Sequence, residues 1–221
     1  MIAKEPRPGR VKTRLTPPFT PEEAAELAEA ALRDTLRAVA ATPARRRVLV
    51  LDGTPGPWLP PGFDVVPQCA GGLDERLAAA FAACDGPALL IGMDTPQVTP
   101  DLLTVDFANG QHDGRYGDRY DGGYGRGYDA CFGPAEDGGF WALGLAEPDP
   151  RLLLGVPMSA PDTGAVQRAR LVAAGLRVRD LPRLRDVDTA ADATAVAATA
   201  PHGRFAAALA RLGAVGGRTG R

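Results

Sequence analysis

Three acidic stretches and one basic stretch hold the residue types that could do chemistry in this chain. In "IGMDTPQVTPDLL", Asp94 comes directly after an apolar run, and Thr95-Pro96 turns the chain away. In "GPAEDGGFWALGL", Glu136 and Asp137 sit at a bend, and Gly138 and Gly139 let backbone come close to a ligand. In "LRDVDTAADATAVA", Asp186 and Asp188 straddle Val187, so an extended segment turns both to one side. Two carboxylates on one side repel unless a cation or a proton intervenes. Oxygen ligands of this kind suit a hard cation, Mg²⁺ or Mn²⁺. The basic stretch is "AKEPRPGRVKTRL", residues 3–15, with Lys4, Arg7, Arg10, Lys12 and Arg14 against Glu5. Arginine offers a planar fork and lysine a point charge, a pairing that suits polyphosphate. Gly9 and the prolines break regular structure, and in an extended chain Lys12 and Arg14 project together.

Each stretch also has a plainer reading. Asp before Thr-Pro often caps a turn. Asp-Gly is a common hairpin turn pair, and Thr189 or Asp188 could cap the helix that follows. Basic runs are usually solvated surface. What favours chemistry is position, because the acids follow strand-like runs, where ligands of open α/β sheets bind. "QCAGGLDERLAAAF" adds a glycine turn into a helix, where Gly72 and Arg76 could meet a phosphate or a base edge. An ordinary loop into an amphipathic helix explains it equally well. No G-x-x-x-x-G-K-[ST] and no G-x-G-x-x-G is present. His112 and His202 lie in unpromising surroundings, so no nucleophile–base pair stands out. Positioning and electrostatics remain, which suits displacement at phosphorus or at an anomeric carbon.

These residues need a scaffold, and the pattern supplies one. "TPEEAAELAEAALRDTLRAVA" is a helix with Thr20 as N-cap, Pro21 at its first position and Glu23 completing a capping box. Strands are expected at 47–52, 63–68, 87–94, 129–134, 140–145 and 177–182. Helices are expected at 73–84 and 162–176, the latter ended by Gly175, with Ala-rich helices closing the chain. The alternation predicts an α/β fold with a mostly parallel central sheet flanked by helices on both faces. Only Met1 and Ile2 precede the basic loop, so the first strand is expected to be truncated and the natural start to lie upstream. One domain is expected over residues 1–212. It carries a low-complexity insert at 109–129, and a disordered tail is expected at 213–221. The insert holds Tyr116, Tyr120, Tyr124 and Tyr128 among glycines. It reads as a mobile surface insertion, dispensable for folding, or as a lid whose Tyr and Arg stack on a sugar or base.

The formal net charge of −2 argues against a nucleic-acid coat. No apolar run approaches bilayer length, and no leader opens the chain, so a cytoplasmic protein is expected. Cys69, Cys84 and Cys131 fit reduced thiols and give no zinc spacing.

Taken in order, "AKEPRPGRVKTRL", "GGLDERLAAAF", "IGMDTPQVTPDLL", "GPAEDGGFWALGL" and "DVDTAAD" resemble the bacterial GT-A-like transferases called radical-SAM/selenodomain-associated transferase 1. These are also known as arsenosugar-biosynthesis-type glycosyltransferases. That group belongs to the nucleotide-diphospho-sugar transferase superfamily and is similar to the phospholactate guanylyltransferases. The resemblance implies a three-layer, Rossmann-like GT-A fold with a nucleotide and a divalent metal in its crevice. It implies that Lys4, Lys12 and Arg14 meet the phosphates, that Asp94 with Asp186 or Asp188 holds the metal, and that Glu136 and Asp137 face the acceptor. The expected reaction is glycosyl transfer from a nucleotide-diphospho-sugar to a small acceptor, with Lys12, Arg14 and Asp137 catalytic. Nucleotidyl transfer with pyrophosphate release is the alternative, and a non-catalytic nucleotide-binding protein is a third.

Overall fold

The capping box expected at Thr20 starts the longest helix. Thr20 Oγ1 accepts the Glu23 amide at 3.2 Å, and Glu23 Oε2 accepts the Thr20 amide at 2.8 Å. Helix α1 (Pro21–Ala41) then buries Leu27, Leu32 and Leu36 along one stripe. The computed structural model describes residues 1–107 and 127–216. Within them the strands are β1 (Ile2–Lys4), β2 (Val48–Asp52), β3 (Asp64–Pro67), β4 (Ala88–Ile91), β5 (Ala130–Pro134), β6 (Phe140–Leu145) and β7 (Val178–Asp180). The remaining helices are α2 (Leu73–Ala82), α3 (Pro100–Leu103), α4 (Thr163–Ala173), α5 (Ala190–Thr199) and α6 (Arg204–Gly216).

The strands form two ladders. β1, β2 and β3 pair in parallel, in that order. The second ladder runs β4-β6-β5-β7. There β6 is antiparallel to both neighbours, while β7 is parallel to β5. Three of the five strand pairs among the described residues are parallel, as a mostly parallel sheet requires, and the antiparallel β5–β6 pair has a simple reason. The link between β5 and β6, residues 135–139, can close a hairpin but cannot make a crossover. At the seam between ladders the Lys4 amide donates to Met93 Sδ at 3.1 Å, where a carbonyl would continue a sheet.

Alternating side chains give the fold three layers. Ile2 and Val50 face Leu77 and Phe81 of α2, Leu171 of α4, and Leu90, Phe132 and Leu143 of the second ladder. That cluster spans both ladders. Ala3, Leu49 and Leu51 point the other way, onto Leu32 and Leu36 of α1, with Trp58 and Met93. Helices α5 and α6 cover the rest of α1, where Val196, Phe205 and Leu212 join Leu27 and Ala31.

The low-complexity stretch has a firmer end than expected. Tyr128 bridges to Phe107, its amide donates to Asp106 O at 3.3 Å, and Asp129 is held by Arg177. Residues 108–126 lie outside the described residues, and with them the insertion and lid readings. Helix α6 runs four residues past the expected end of the domain at 212, to Gly216, and 217–221 lie outside the described residues.

Candidate functional site

The basic loop hangs from β1 but is fastened to α1. Val11 packs with Ala25 and Ala28, and Leu15 joins the cluster of Leu27, Val196 and Phe205. These two apolar anchors leave Lys12 and Arg14 facing the strand ends. The loop is not extended there, as alternation suggested. Lys12 lies at φ 50, ψ 38, and residues Thr13–Leu15 make one 3-10 turn. A left-handed non-glycine residue is uncommon and needs support from its surroundings. The two cations still converge, through the turn rather than through strand alternation.

The same apolar cluster fixes the opposite wall. Val187 is buried beside Leu15, so the aspartates flanking it turn away from the helices. The Val187 amide donates to Asp94 O at 2.9 Å, which ties this segment to the end of β4. Across the gap Lys12 Nζ stands 2.7 Å from Asp94 Oδ1 and 3.9 Å from Asp188 Oδ1. Arg14 Nη1 lies 2.5 Å from Asp188 Oδ2. Thr189 caps α5, accepting the Asp192 amide at 3.3 Å, so the capping reading of "DVDT" holds at Thr189.

Asp186 is the unusual member. Its Oδ1 is sealed from solvent with no hydrogen-bond partner. Burial pushes its carboxyl up to about 7, Asp94, Asp137 and Asp188 push the same way, and Lys12 opposes them. A cavity of about 200 Å³ opens beside it, lined by Glu136, Asp137, Arg185, Asp186, Asp188 and Asp192. The acidic bend is therefore a β5–β6 hairpin and also a wall of this cavity. Its glycines also permit close packing. Gly138 has φ +91, and a side chain there would strike the Pro161 carbonyl, while the Gly164 amide donates to Gly138 O at 2.7 Å. Asp137 Oδ1 accepts the Gly139 amide at 2.8 Å.

The remaining expected positions stand apart from the acids. Lys4 ends β1 with its side chain exposed, and Gly9 sits on the exposed part of the loop at φ +72. Gly72 begins α2, but Glu75 Oε2 already accepts its amide at 2.6 Å. A phosphate at this helix start would compete with that carboxylate. Arg76 donates to Gly71 O at 3.0 Å and lies 3.4 Å from Gln68 Oε1. Gln68 in turn donates to Ala3 O at 2.7 Å, placing this group beside β1.

Two residues escaped the sequence reading. Arg185 pairs with Glu136 at 2.5 Å and with Asp192 at 3.4 Å, bridging the two sides of the cavity. Gln97 donates to Arg185 O at 2.6 Å and leaves its own Oε1 buried without a partner. Arg185 was visible as the cation directly before "DVD"; nothing in the sequence marks Gln97.

Among the described residues no three carboxylate, imidazole or thiol groups stand together as a finished metal cluster. Carboxylate oxygens are nevertheless the donor type a hard cation takes, and Asp186 Oδ1 lacks any hydrogen-bond partner.

Comparisons with known proteins agree with this architecture. The family described as "Uncharacterized protein conserved in bacteria (DUF2064)" matches residues 26–160, and the chain belongs to it. A crystal structure from Desulfovibrio desulfuricans G20, provisionally assigned as a nucleotide-diphospho-sugar transferase, superposes with a TM-score of 0.77 at 25% identity, covering 98% of this chain and 96% of that one. A homologue of Mycobacterium tuberculosis rv0371c from Mycobacterium sp. strain JC1 gives a TM-score of 0.51 at 17% identity, over 90% of this chain and 97% of that one, a likeness of fold. No curated protein matches the chain. The fold is thus of the nucleotide-sugar transferase type. Among the described residues no helix is long and apolar enough to cross a membrane.

Proposed function

We propose that this DUF2064 member is a divalent-metal-dependent glycosyltransferase that moves a sugar from a nucleotide-diphospho-sugar to a small acceptor. The observation that carries the reading is the meeting of Lys12 and Arg14 with Asp94 and Asp188 at the strand ends. Cations on one wall and carboxylates on the other frame a metal–diphosphate complex. The likeness to the Desulfovibrio protein, which extends over nearly the whole of both chains, supports the substrate class.

Asp94, Asp186 and Asp188 are the residues to hold Mg²⁺ or Mn²⁺. Bound there, the ion supplies charge neutralisation on the departing diphosphate. Lys12 and Arg14 add fixed positive charge on the same oxygens. Lys4 and Gly9 extend that wall, and Gly72 and Arg76 lie toward the nucleotide beside β1. Asp137, with one oxygen held by the Gly139 amide, has its other oxygen to take a proton from an acceptor hydroxyl at the cavity. Arg185 holds Glu136 in place on that side, and Gly138 and Gly139 shape the bend.

Nucleotidyl transfer is the second reading, and one observation favours it. Lys4 makes no ion pair among the described residues, so the basic wall has charge to spare for a triphosphate. Incubation with labelled NTPs and NDP-sugars plus an acceptor panel separates the two. Free NDP from an NDP-sugar supports glycosyl transfer. Pyrophosphate from an NTP replaces it with nucleotidyl transfer. Metal-dependent binding without turnover leaves a nucleotide-binding protein.

A further inference from the structure

The Lys12 side chain holds a position that the proposed metal site needs. It is only 8% exposed, while Asp94 and Asp188 are 40% and 37% exposed. Its ammonium is in contact with Asp94 Oδ1 at 2.7 Å and leans toward Asp188 Oδ1 at 3.9 Å. Arg14 takes the other oxygen of Asp188. The backbone presents Lys12 from the left-handed region, a conformation that persists only where surrounding contacts impose it. Two of the three carboxylates proposed as ligands are therefore already engaged by cations of the chain itself. The third, Asp186, keeps an oxygen with no partner.

We propose that Lys12 is an internal cation that keeps the metal site shut until a polyphosphate arrives. This inference rests on the metal-dependent reading above. A divalent ion approaching Asp94 Oδ1 is opposed by the ammonium 2.7 Å from that oxygen, because like charges repel. A diphosphate offers Lys12 and Arg14 several charged oxygens in place of one carboxylate each. When they turn to it, Asp94 and Asp188 are released to the metal. Metal alone then binds weakly, and nucleotide and metal strengthen each other by one and the same factor. Lys12 is a positioning residue in the empty protein and a phosphate ligand in the loaded one.

The test measures Mn²⁺ binding to the full chain without nucleotide, from the electron paramagnetic resonance signal of free Mn²⁺. Lys12→Gln is compared with the native protein. Lys12→Asn is the second variant, since Asn tolerates the left-handed backbone. Both variants are expected to bind Mn²⁺ about tenfold more tightly than the native chain, the scale of one charge-assisted contact removed. Calorimetry with ADP, GDP, CDP and UDP, with and without saturating Mn²⁺, is expected to show strong mutual enhancement in the native chain and a much smaller one in the variants. Equal Mn²⁺ affinity in native and variant proteins, with nucleotide coupling unchanged, overturns the role of Lys12 and leaves metal-dependent transfer standing. Absence of Mn²⁺ binding in every form, with and without nucleotide, overturns both. Should neither variant fold, the native chain decides: tight Mn²⁺ binding without nucleotide sinks the proposal.

Discussion

Two aspartates of this chain, Asp129 and Asp186, show how differently one side chain can be treated. Asp129 lies just before β5 and is gripped by Arg177 through Nε and Nη2, at 2.8 Å each, and through the Arg177 amide at 2.9 Å. Those bonds hold its carboxyl down to about 2. Asp186 lies beside the cavity with one oxygen unpartnered and three further aspartates pressing on it. Its carboxyl is pushed up to about 7. An acid whose role is structural is given its partners by the fold. An acid kept buried among like charges without a partner is held ready for something the fold does not supply. The contrast separates a fastening from a site, and it can be attacked from either end.

The largest effect is expected at the site's front edge. Asp94→Ala removes the carboxylate that Lys12 holds and that the metal is proposed to take. Metal-dependent nucleotide binding should disappear, as measured by calorimetry in Mg²⁺. Unchanged affinity would refute the assignment of Asp94. No comparable loss is expected from Asp129→Asn, which lies with Arg177 outside the cavity lining.

The next effect is on stability, and it depends on pH. In the folded chain Asp186 keeps its proton up to about 7, against an ordinary value of 3.8. Between those values the folded state holds a proton that the unfolded state has lost. Stability therefore falls as pH rises through that window and levels off above it. The full effect is at most about 4 kcal/mol, since a tenfold change in proton affinity is worth about 1.4 kcal/mol. In chelated buffer Asp186→Asn should melt higher than the native chain at pH 8 and show little gain at pH 4. A gain that is the same at both pH values would show that the carboxyl is ordinary.

Asp129 should behave in the opposite sense and more weakly. Its depressed carboxyl contributes stability that is present above about 3.8 and lost as pH falls through about 2. The pair is largely exposed, so solvent screening keeps its contribution below about 1 kcal/mol. Arg177→Ala should lower the melting temperature slightly at pH 7 and not at all near pH 2. A drop of many degrees would place this pair among the structural essentials of the second ladder.

How much of this contrast could be read beforehand follows from where each interaction is encoded. Local patterns were legible. The capping box at Thr20 and Glu23 formed as expected, and Gly175 sits at φ +79 just after α4. The acids after the strand-like runs were legible as well, because sheet topology alone sends them to one crevice. The basic loop's shape was not. Lys12 turns left-handed because Val11 and Leu15 are pinned on α1, a contact between segments that periodicity cannot reveal. The Gly72-x-x-Glu75 spacing hid a carboxylate that reaches back to the helix start, so the anion-binding reading of α2 overlooked its own occupant. Arg185 and Gln97 acquire their roles only from the approach of β4, the β5–β6 bend and the segment before α5. The antiparallel place of β6 was implicit in a five-residue link, but sequence alone left open whether that link was a turn or a bend at a sheet end.

The smallest expected effect lies at the base of the low-complexity stretch, next to Asp129. The Phe107–Tyr128 bridge is parallel. Parallel neighbours need a connection of roughly a dozen residues or more. Joining residue 109 directly to Tyr128 therefore breaks the bridge and the Tyr128–Asp106 bond, a loss of about 1 kcal/mol for one backbone hydrogen bond. Replacing 109–126 with a Gly/Ser linker of about a dozen residues keeps the connection long enough. Melting temperature should then be unchanged, since Asp129 still holds Arg177 and Arg179 still lies over the Tyr128 ring at 5.9 Å. A large fall in melting temperature for the linker variant would mean that the native stretch itself packs on the fold. Unchanged stability with altered turnover would move the stretch from the fastening side of the contrast to the side of the site.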